Sequence, residues 1–127
     1  MANVDPRRGE IWRINFDPSV GQEIKKERPA LVMNTKYAGR LALRMVVPIT
    51  TGDAGFNQLF WMVNILADST NGLAHDSFAD AFQFKSVSID RFVRKIGVIT
   101  DFTKLHDIAS AIVLCIGYSP PNSSQHK

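Results

Sequence analysis

The sequence predicts an α+β fold: a small antiparallel β-barrel or sheet with one helix packed on it at the C-terminal end. Three observations lead there. Short apolar runs, several alternating with period two, recur between residues 10 and 99, and turn-forming Gly, Pro, Asn and Asp separate them. After Thr100 the apolar spacing becomes helical, at Leu105, Ile108, Ile112 and Cys115. The chain has 127 residues, 45% of them hydrophobic, enough for one real core and too short for two ordinary domains.

Each element has its own signal. In residues 10–16, Trp12, Ile14 and Phe16 alternate with Arg13 and Asn15, the pattern of a half-buried strand. Asp17-Pro18-Ser19-Val20-Gly21 breaks it and opens a polar loop over residues 17–27. Loops of that length in a compact domain are often functional. Residues 30–33 and 44–49 are apolar runs that suit buried strands, with 36–41 as their connection. Residues 50–55 form a loop with two glycines, and Leu59, Trp61, Val63 and Ile65 alternate as a further strand. Asp68-Ser69-Thr70-Asn71-Gly72 is a turn signal. Residues 78–87 and 93–99 read as the last two strands. Asp101 or Thr100 can cap the helix, with Cys115 on its apolar face, Gly117 as its stop and residues 119–127 as a loose tail after a single domain over 1–118.

Charge is unevenly spread. The net charge is +3 and the sequence pI about 9.2. Residues 1–45 carry nine Lys and Arg against five acids, whereas residues 46–127 carry six against seven. This asymmetry favours an anionic partner for the first part of the chain. A lone cysteine rules out an internal disulfide, and no Cys/His cluster has zinc spacing, so neither metal nor cofactor is expected. The polar start lacks the pattern of a signal peptide, and no apolar run is long enough to span a bilayer, so the expected location is cytoplasmic.

Four segments in order resemble the MazF/PemK family of toxin endoribonucleases. They are Arg8-Gly9-Glu10-Ile11-Trp12, Asp17-Pro18-Ser19-Val20-Gly21-Gln22-Glu23, Arg28-Pro29 before an apolar run, and Val46-Val47-Pro48-Ile49-Thr50. Gln83-Phe84-Lys85-Ser86-Val87 is similar to a later element of the family. The resemblance spans about residues 7–116. It implies an SH3-like, CcdB/MazF-like barrel and a homodimer. It also implies metal-independent cleavage of single-stranded RNA, chiefly mRNA, and a cognate antitoxin that covers the active groove.

Such cleavage turns the ribose 2′-OH on the adjacent phosphorus, leaving a 2′,3′-cyclic phosphate and a 5′-OH. It requires neutralised phosphoryl oxygens, a proton removed from the 2′-OH and one delivered to the leaving oxygen. Arg28 suits the first task, since a guanidinium stays charged and forks onto phosphate oxygens. The resemblance makes it the main catalytic residue. Read alone, without the resemblance, it is better taken as a surface arginine paired with Glu23 or Glu27. Thr50 is the second catalytic candidate, its hydroxyl placed to donate to a developing oxyanion; it could also merely end a strand. Lys25 and Lys26 are candidates for neighbouring phosphates, and Thr51, Ser77, Gln83 and Lys85 complete the RNA-binding set by family position. Phe56, Phe60 and Trp61 offer faces for base stacking, although the alternation places Trp61 in the core. Some members carry an Arg-x-Asp pair before the glutamine; here Asp80-Ala81-Phe82 stands in its place. The general base therefore stays open, with Asp80 and Glu23 as candidates. Two alternatives remain: a CcdB-like inhibitor of DNA gyrase that acts by protein binding, and a relative that binds RNA without cutting it.

Overall fold

The computed structural model describes residues 4–38, 40–52, 54–119 and 121. Seven strands precede one helix: β1 Glu10–Asn15, β2 Glu27–Val32, β3 Leu43–Thr50, β4 Met62–Ile65, β5 Ser77–Asp80, β6 Lys85–Ser88, β7 Phe92–Val98 and α1 Phe102–Cys115. All strand pairs are antiparallel, in the order β4-β5-β3-β2-β1-β7, with β6 also on β3. The α+β class expected from the sequence is borne out. The strand path stays open, and the turn at residues 68–72 bridges its ends, the Val98 amide donating to the Thr70 carbonyl at 3.0 Å.

The eight-residue β3 is the spine of the sheet. Along one edge it pairs with β2 through Val46–Pro48. Along the other it pairs with β6 up to Val46 and with β5 from Ile49. Pro48, which has no amide to donate, falls at this changeover. Between β5 and β6 a 3-10 turn, Ala81–Gln83, interrupts what the sequence suggested was one strand over 78–87. Asp80 is the cause: its carboxylate accepts the Phe82 amide at 3.2 Å and turns the chain. The expected strand at 59–65 is likewise shorter, with a 3-10 turn at Ala54–Gln58 ahead of β4.

Alternation divides the apolar side chains between two cores. Ile11, Leu31, Val47 and Ile49 face the helix and pack with Leu105 and Ile108. Trp12, Ile14, Ala30, Val32 and Val46 face the other way and pack with Phe16, Val87 and Phe92. Fully burying a side chain of this kind stabilises by about 1.5–3 kcal/mol, so both clusters are substantial. Of the two capping candidates, Asp101 is the one used, accepting the Thr103 amide at 2.9 Å. Gly117, at φ +80°, ends the helix as expected. Cys115 is half-buried, short of the core position its spacing suggested. Most of the tail expected over residues 119–127 lies outside the described residues.

Arg44 departs from its apolar neighbours. It is buried, and its guanidinium donates to the carbonyls of Pro6 (2.8 Å), Leu41 (2.6 Å) and Leu43 (2.8 Å) and to Asp5 Oδ1 (3.1 Å). It thereby ties the segment before β1 to the start of β3.

Candidate active site

The sequence placed Arg28 before a proline at the lip of a buried strand, and the structure explains the arrangement. Pro29 fixes its own φ and biases Arg28 to extended backbone, so the arginine becomes the second residue of β2. Its partner across β1 is the fully buried Ile14, and it shares that face of the sheet. Lying at the rim, Arg28 is only half-buried. Its Nε donates to the Lys25 carbonyl at 3.3 Å. Among the described residues nothing is bonded to its terminal nitrogens.

The competing reading paired Arg28 with an acid. Neither candidate serves. Glu27 pairs with Arg13 at 3.0 Å, and Glu23 accepts the Val20 amide at 2.8 Å. Both are exposed, and Arg28 keeps its charge available for an anion.

Thr50 is the last residue of β3, half-buried at the same end of the sheet where β2 begins. The β2/β3 register pairs Ala30 with Pro48. Arg28 and Thr50 each lie two residues beyond that last ladder pair, Arg28 at the start of β2 and Thr50 at the end of β3. The two catalytic candidates, 22 positions apart in sequence, thus stand on strand ends that share one rim of the sheet.

Lys25 and Lys26 are both exposed in the loop between β1 and β2. Lys26 adopts a left-handed conformation, φ 65°, that is uncommon outside glycine, Asn and Asp. The loop is sealed beneath it: the Phe16 amide donates to the Lys26 carbonyl at 2.8 Å, and the Lys26 amide to Asp17 Oδ1 at 2.9 Å. Gln83 reaches this loop from the far side of the sequence. Its Oε1 accepts the Ile24 amide at 2.5 Å, while its Nε2 donates to Asp80 Oδ2 at 3.3 Å. The side chain is thus engaged in holding the loop. Asp80 is itself buried, and burial raises its carboxyl above the ordinary range despite the bonds from Phe82 and Gln83. Both of its oxygens are occupied, a poor arrangement for a general base that must meet a 2′-OH.

Ser77 and Thr51 lie elsewhere around the same rim. The buried Ser77 donates its hydroxyl to the His75 carbonyl at 2.7 Å. Thr51 is exposed. Both line a cavity of about 300 Å³ together with Arg13, Pro29, His75 and Arg94. Lys85 is exposed and opposite Val46, four residues or roughly 13 Å back along β3 from Thr50, so it stands apart from the rest.

The aromatic candidates form two groups. Phe56 packs edge-on against Phe78 at 5.5 Å. Trp61 is half-buried between Phe60 at 5.1 Å and Phe82 at 5.8 Å, outside the core position expected for it. Among the described residues no cluster of three or more His, Cys, Asp or Glu could hold a metal ion.

Residues 7–116 match the family model described as PemK-like, MazF-like toxin of type II toxin-antitoxin system. The chain belongs to this family. It is 35% identical over 100 residues to endoribonuclease MazF9 of Mycobacterium tuberculosis, covering 74% of this chain and 82% of that protein. It is 41% identical over 49 residues to endoribonuclease PemK of Escherichia coli, covering 38% and 37%. Among solved structures, MazF from Deinococcus radiodurans superposes with a TM-score of 0.75 at 22% identity, covering 91% of this chain and all of that one. An endoribonuclease in complex with its cognate antitoxin, from a mycobacterial species, gives 0.70 at 18% identity over 91% and 99%. At these identities the structures speak to the fold, and they agree with an antiparallel sheet and one C-terminal helix. The family membership suggested by Arg8–Trp12, Asp17–Glu23, Arg28-Pro29 and Val46–Thr50 is therefore borne out, and the gyrase-binding alternative is not favoured. No described helix is long and apolar enough to cross a membrane.

Proposed function

We propose that this PemK/MazF toxin is a cytoplasmic, metal-independent endoribonuclease that cuts single-stranded RNA, chiefly mRNA, at a short sequence and is neutralised by a cognate antitoxin. The observation that carries the reading is the rim at which β2 begins and β3 ends. Arg28, with no acid on its guanidinium, and Thr50 sit on the two strand ends that form it, each two residues past the Ala30–Pro48 pair. The endoribonuclease names of the curated relatives support the same chemistry. The working unit is a homodimer whose groove runs across the interface.

In the reaction, the 2′-oxygen bonds to phosphorus as the bond from phosphorus to the 5′-oxygen breaks. Arg28 forks onto the nonbridging oxygens as charge builds there, and the Thr50 hydroxyl donates to the same oxyanion. Removing one such donor in other enzymes costs about 3–4 kcal/mol. Lys25 and Lys26 hold flanking phosphates from the loop. A guanidinium is a poor base, so the 2′-OH proton leaves to another group or to water, and the departing 5′-oxygen takes up a proton to become the 5′-OH. Loops 51–58 and 66–76 shape the groove that reads the sequence.

The test is incubation of the purified protein with a long single-stranded RNA in EDTA, beside Arg28→Ala, followed by mapping of the ends. Discrete cuts with 5′-OH ends, lost in the folded variant, are expected. An intact RNA from folded, antitoxin-free protein would sink the nuclease reading in favour of a relative that binds without cutting.

A further inference from the structure

The cavity beside the catalytic strand pair has a composition that the fold does not require. Arg13 of β1 and Arg94 of β7 are direct cross-strand partners. Like charges directly opposite destabilise a sheet. Glu27 neutralises Arg13 only, and no acid among the described residues pairs with Arg94. His75 and Thr51, both exposed, add donors to the lining, and Leu73, Ala74 and Ile96 supply its apolar part. Two guanidiniums, an imidazole and the Thr51 hydroxyl, beside a Ser77 hydroxyl already bonded to the His75 carbonyl, surround about 300 Å³ and describe a receptor for a compact anion.

Its position names the anion. Pro29 and Thr51 line this cavity, and each is the immediate neighbour of a catalytic candidate, Arg28 and Thr50. Successive residues of a strand point to opposite faces. The cavity and Arg28 therefore lie on the two sides of one rim, a single residue step apart. A polyanion with regularly spaced charges that crosses the rim can occupy both.

We infer that this cavity is a phosphate subsite for the RNA substrate, with Arg94 and Arg13 clasping one backbone phosphate of a nucleotide flanking the cleaved bond. The inference rests on the nuclease reading for its substrate, but the subsite itself concerns binding alone. It also accounts for a like-charged pair kept on adjacent strands.

The experiment measures binding of a fluorescently labelled, mixed-sequence single-stranded RNA by anisotropy over a range of KCl concentrations. It uses Arg28→Ala protein so that the RNA survives, and compares it with the same protein carrying Arg94→Gln, Arg94→Lys or Lys95→Gln. Lys95, the next cation along β7, pairs with Glu10 at 3.1 Å and controls for simple loss of charge. Arg94→Gln should weaken binding about tenfold at 0.1 M salt. It should also flatten the slope of log affinity against log salt by roughly 0.7, the share of one phosphate contact on a single strand. Arg94→Lys should restore the slope more fully than the affinity, since lysine keeps the charge and loses the fork. In the cleaving protein, Arg94→Gln should raise KM with kcat largely kept.

If Arg94→Gln shifts affinity and slope no more than Lys95→Gln does, the subsite is overturned. It is equally overturned if binding of polyglutamate of matched charge depends on Arg94 while RNA binding does not, because the cavity would then serve an acidic peptide. If Arg94 governs RNA binding but wild-type protein cuts nothing in EDTA, the subsite stands and the nuclease reading falls.

Discussion

The side-chain oxygen of Gln83 accepts the backbone amide of Ile24 at 2.5 Å, across 59 positions of sequence. Through this bond, and through the Asp80 carboxylate behind Gln83, the loop that presents Lys25 and Lys26 is held to the turn between β5 and β6. The Lys25 carbonyl in turn accepts the Arg28 Nε–H, so the clamp reaches the proposed catalytic guanidinium. Gln83→Ala should cost about 1–2 kcal/mol in urea unfolding. Amide exchange at Ile24 and its loop neighbours should rise far more than exchange in β1. Cleavage should fall at least tenfold, since small misplacement of a catalytic group is costly. Unchanged exchange at Ile24 would remove Gln83 from the positioning role.

Arg44 gives a purely structural prediction. Its buried guanidinium serves three carbonyls and Asp5. Arg44→Met keeps much of the apolar bulk and abandons those acceptors, and should destabilise by about 2–4 kcal/mol, read as a lower urea midpoint. Arg44→Lys should recover only part, because an ammonium cannot reproduce the planar fork.

Acid sensitivity follows from carboxyls displaced in opposite directions. Burial raises Glu10, but bonds from the Trp12 indole, the Arg7 amide and Lys95 outweigh it and hold the group low. Asp5 is held low chiefly by its bond from Arg7. Groups lowered on folding contribute stability above their unfolded pKa and lose it as pH falls through the folded one. Urea midpoints should therefore drop below about pH 4. Asp80 has the reverse sign: raised by burial, it favours the fold at low pH and disfavours it increasingly as pH climbs from about 4 through its raised value. Asp80→Asn retains an oxygen for the Phe82 amide, so it should gain stability relative to wild type as pH rises across that window. A pH-independent difference between the two would show that Asp80 titrates normally.

The turn at residues 68–72 packs backbone to backbone against β7. A Cβ built on Gly97 would stand 2.4 Å from the Asn71 carbonyl group, and one on Gly72, already at φ +70°, 2.3 Å from the Ile96 oxygen. Gly97→Ala should cost about 2–3 kcal/mol, seen in the thermal or urea midpoint. Gly21→Ala meets nothing within 4 Å and has only its φ of +60° to overcome, so its cost should be nearer 1 kcal/mol.

The legible parts of this fold are those that local chemistry decides. The alternation of Trp12, Ile14 and Phe16 gave β1, Arg28-Pro29 gave an extended strand start, and Asp101 with Leu105 and Ile108 gave the helix. The illegible parts depend on partners distant in sequence. Nothing near Arg44 reveals that Pro6 and Asp5 will supply its acceptors. Asp80 was visible as an acid, yet its role as the cap that splits the 78–87 run needed the Phe82 amide to be placed. The rim was legible as two separate motifs, whereas the β2/β3 pairing that brings their strand ends to one side of the sheet was not. Arg13 and Arg94 carry no local mark as a pair, since only the β1/β7 pairing brings them opposite.

That same turn across β7 also governs how copies of the chain can meet. β7 ends the sheet, and a bare strand edge invites another molecule to continue the ladder. Here the Thr70 carbonyl already occupies the Val98 amide, the turn backbone lies against Gly97, and Arg94 and Lys95 place charge along the exposed stretch just before it. This border is closed to intermolecular zippering. Association along this border must proceed through side-chain surfaces, which can be selective, rather than through the indiscriminate strand stacking that leads to fibrils.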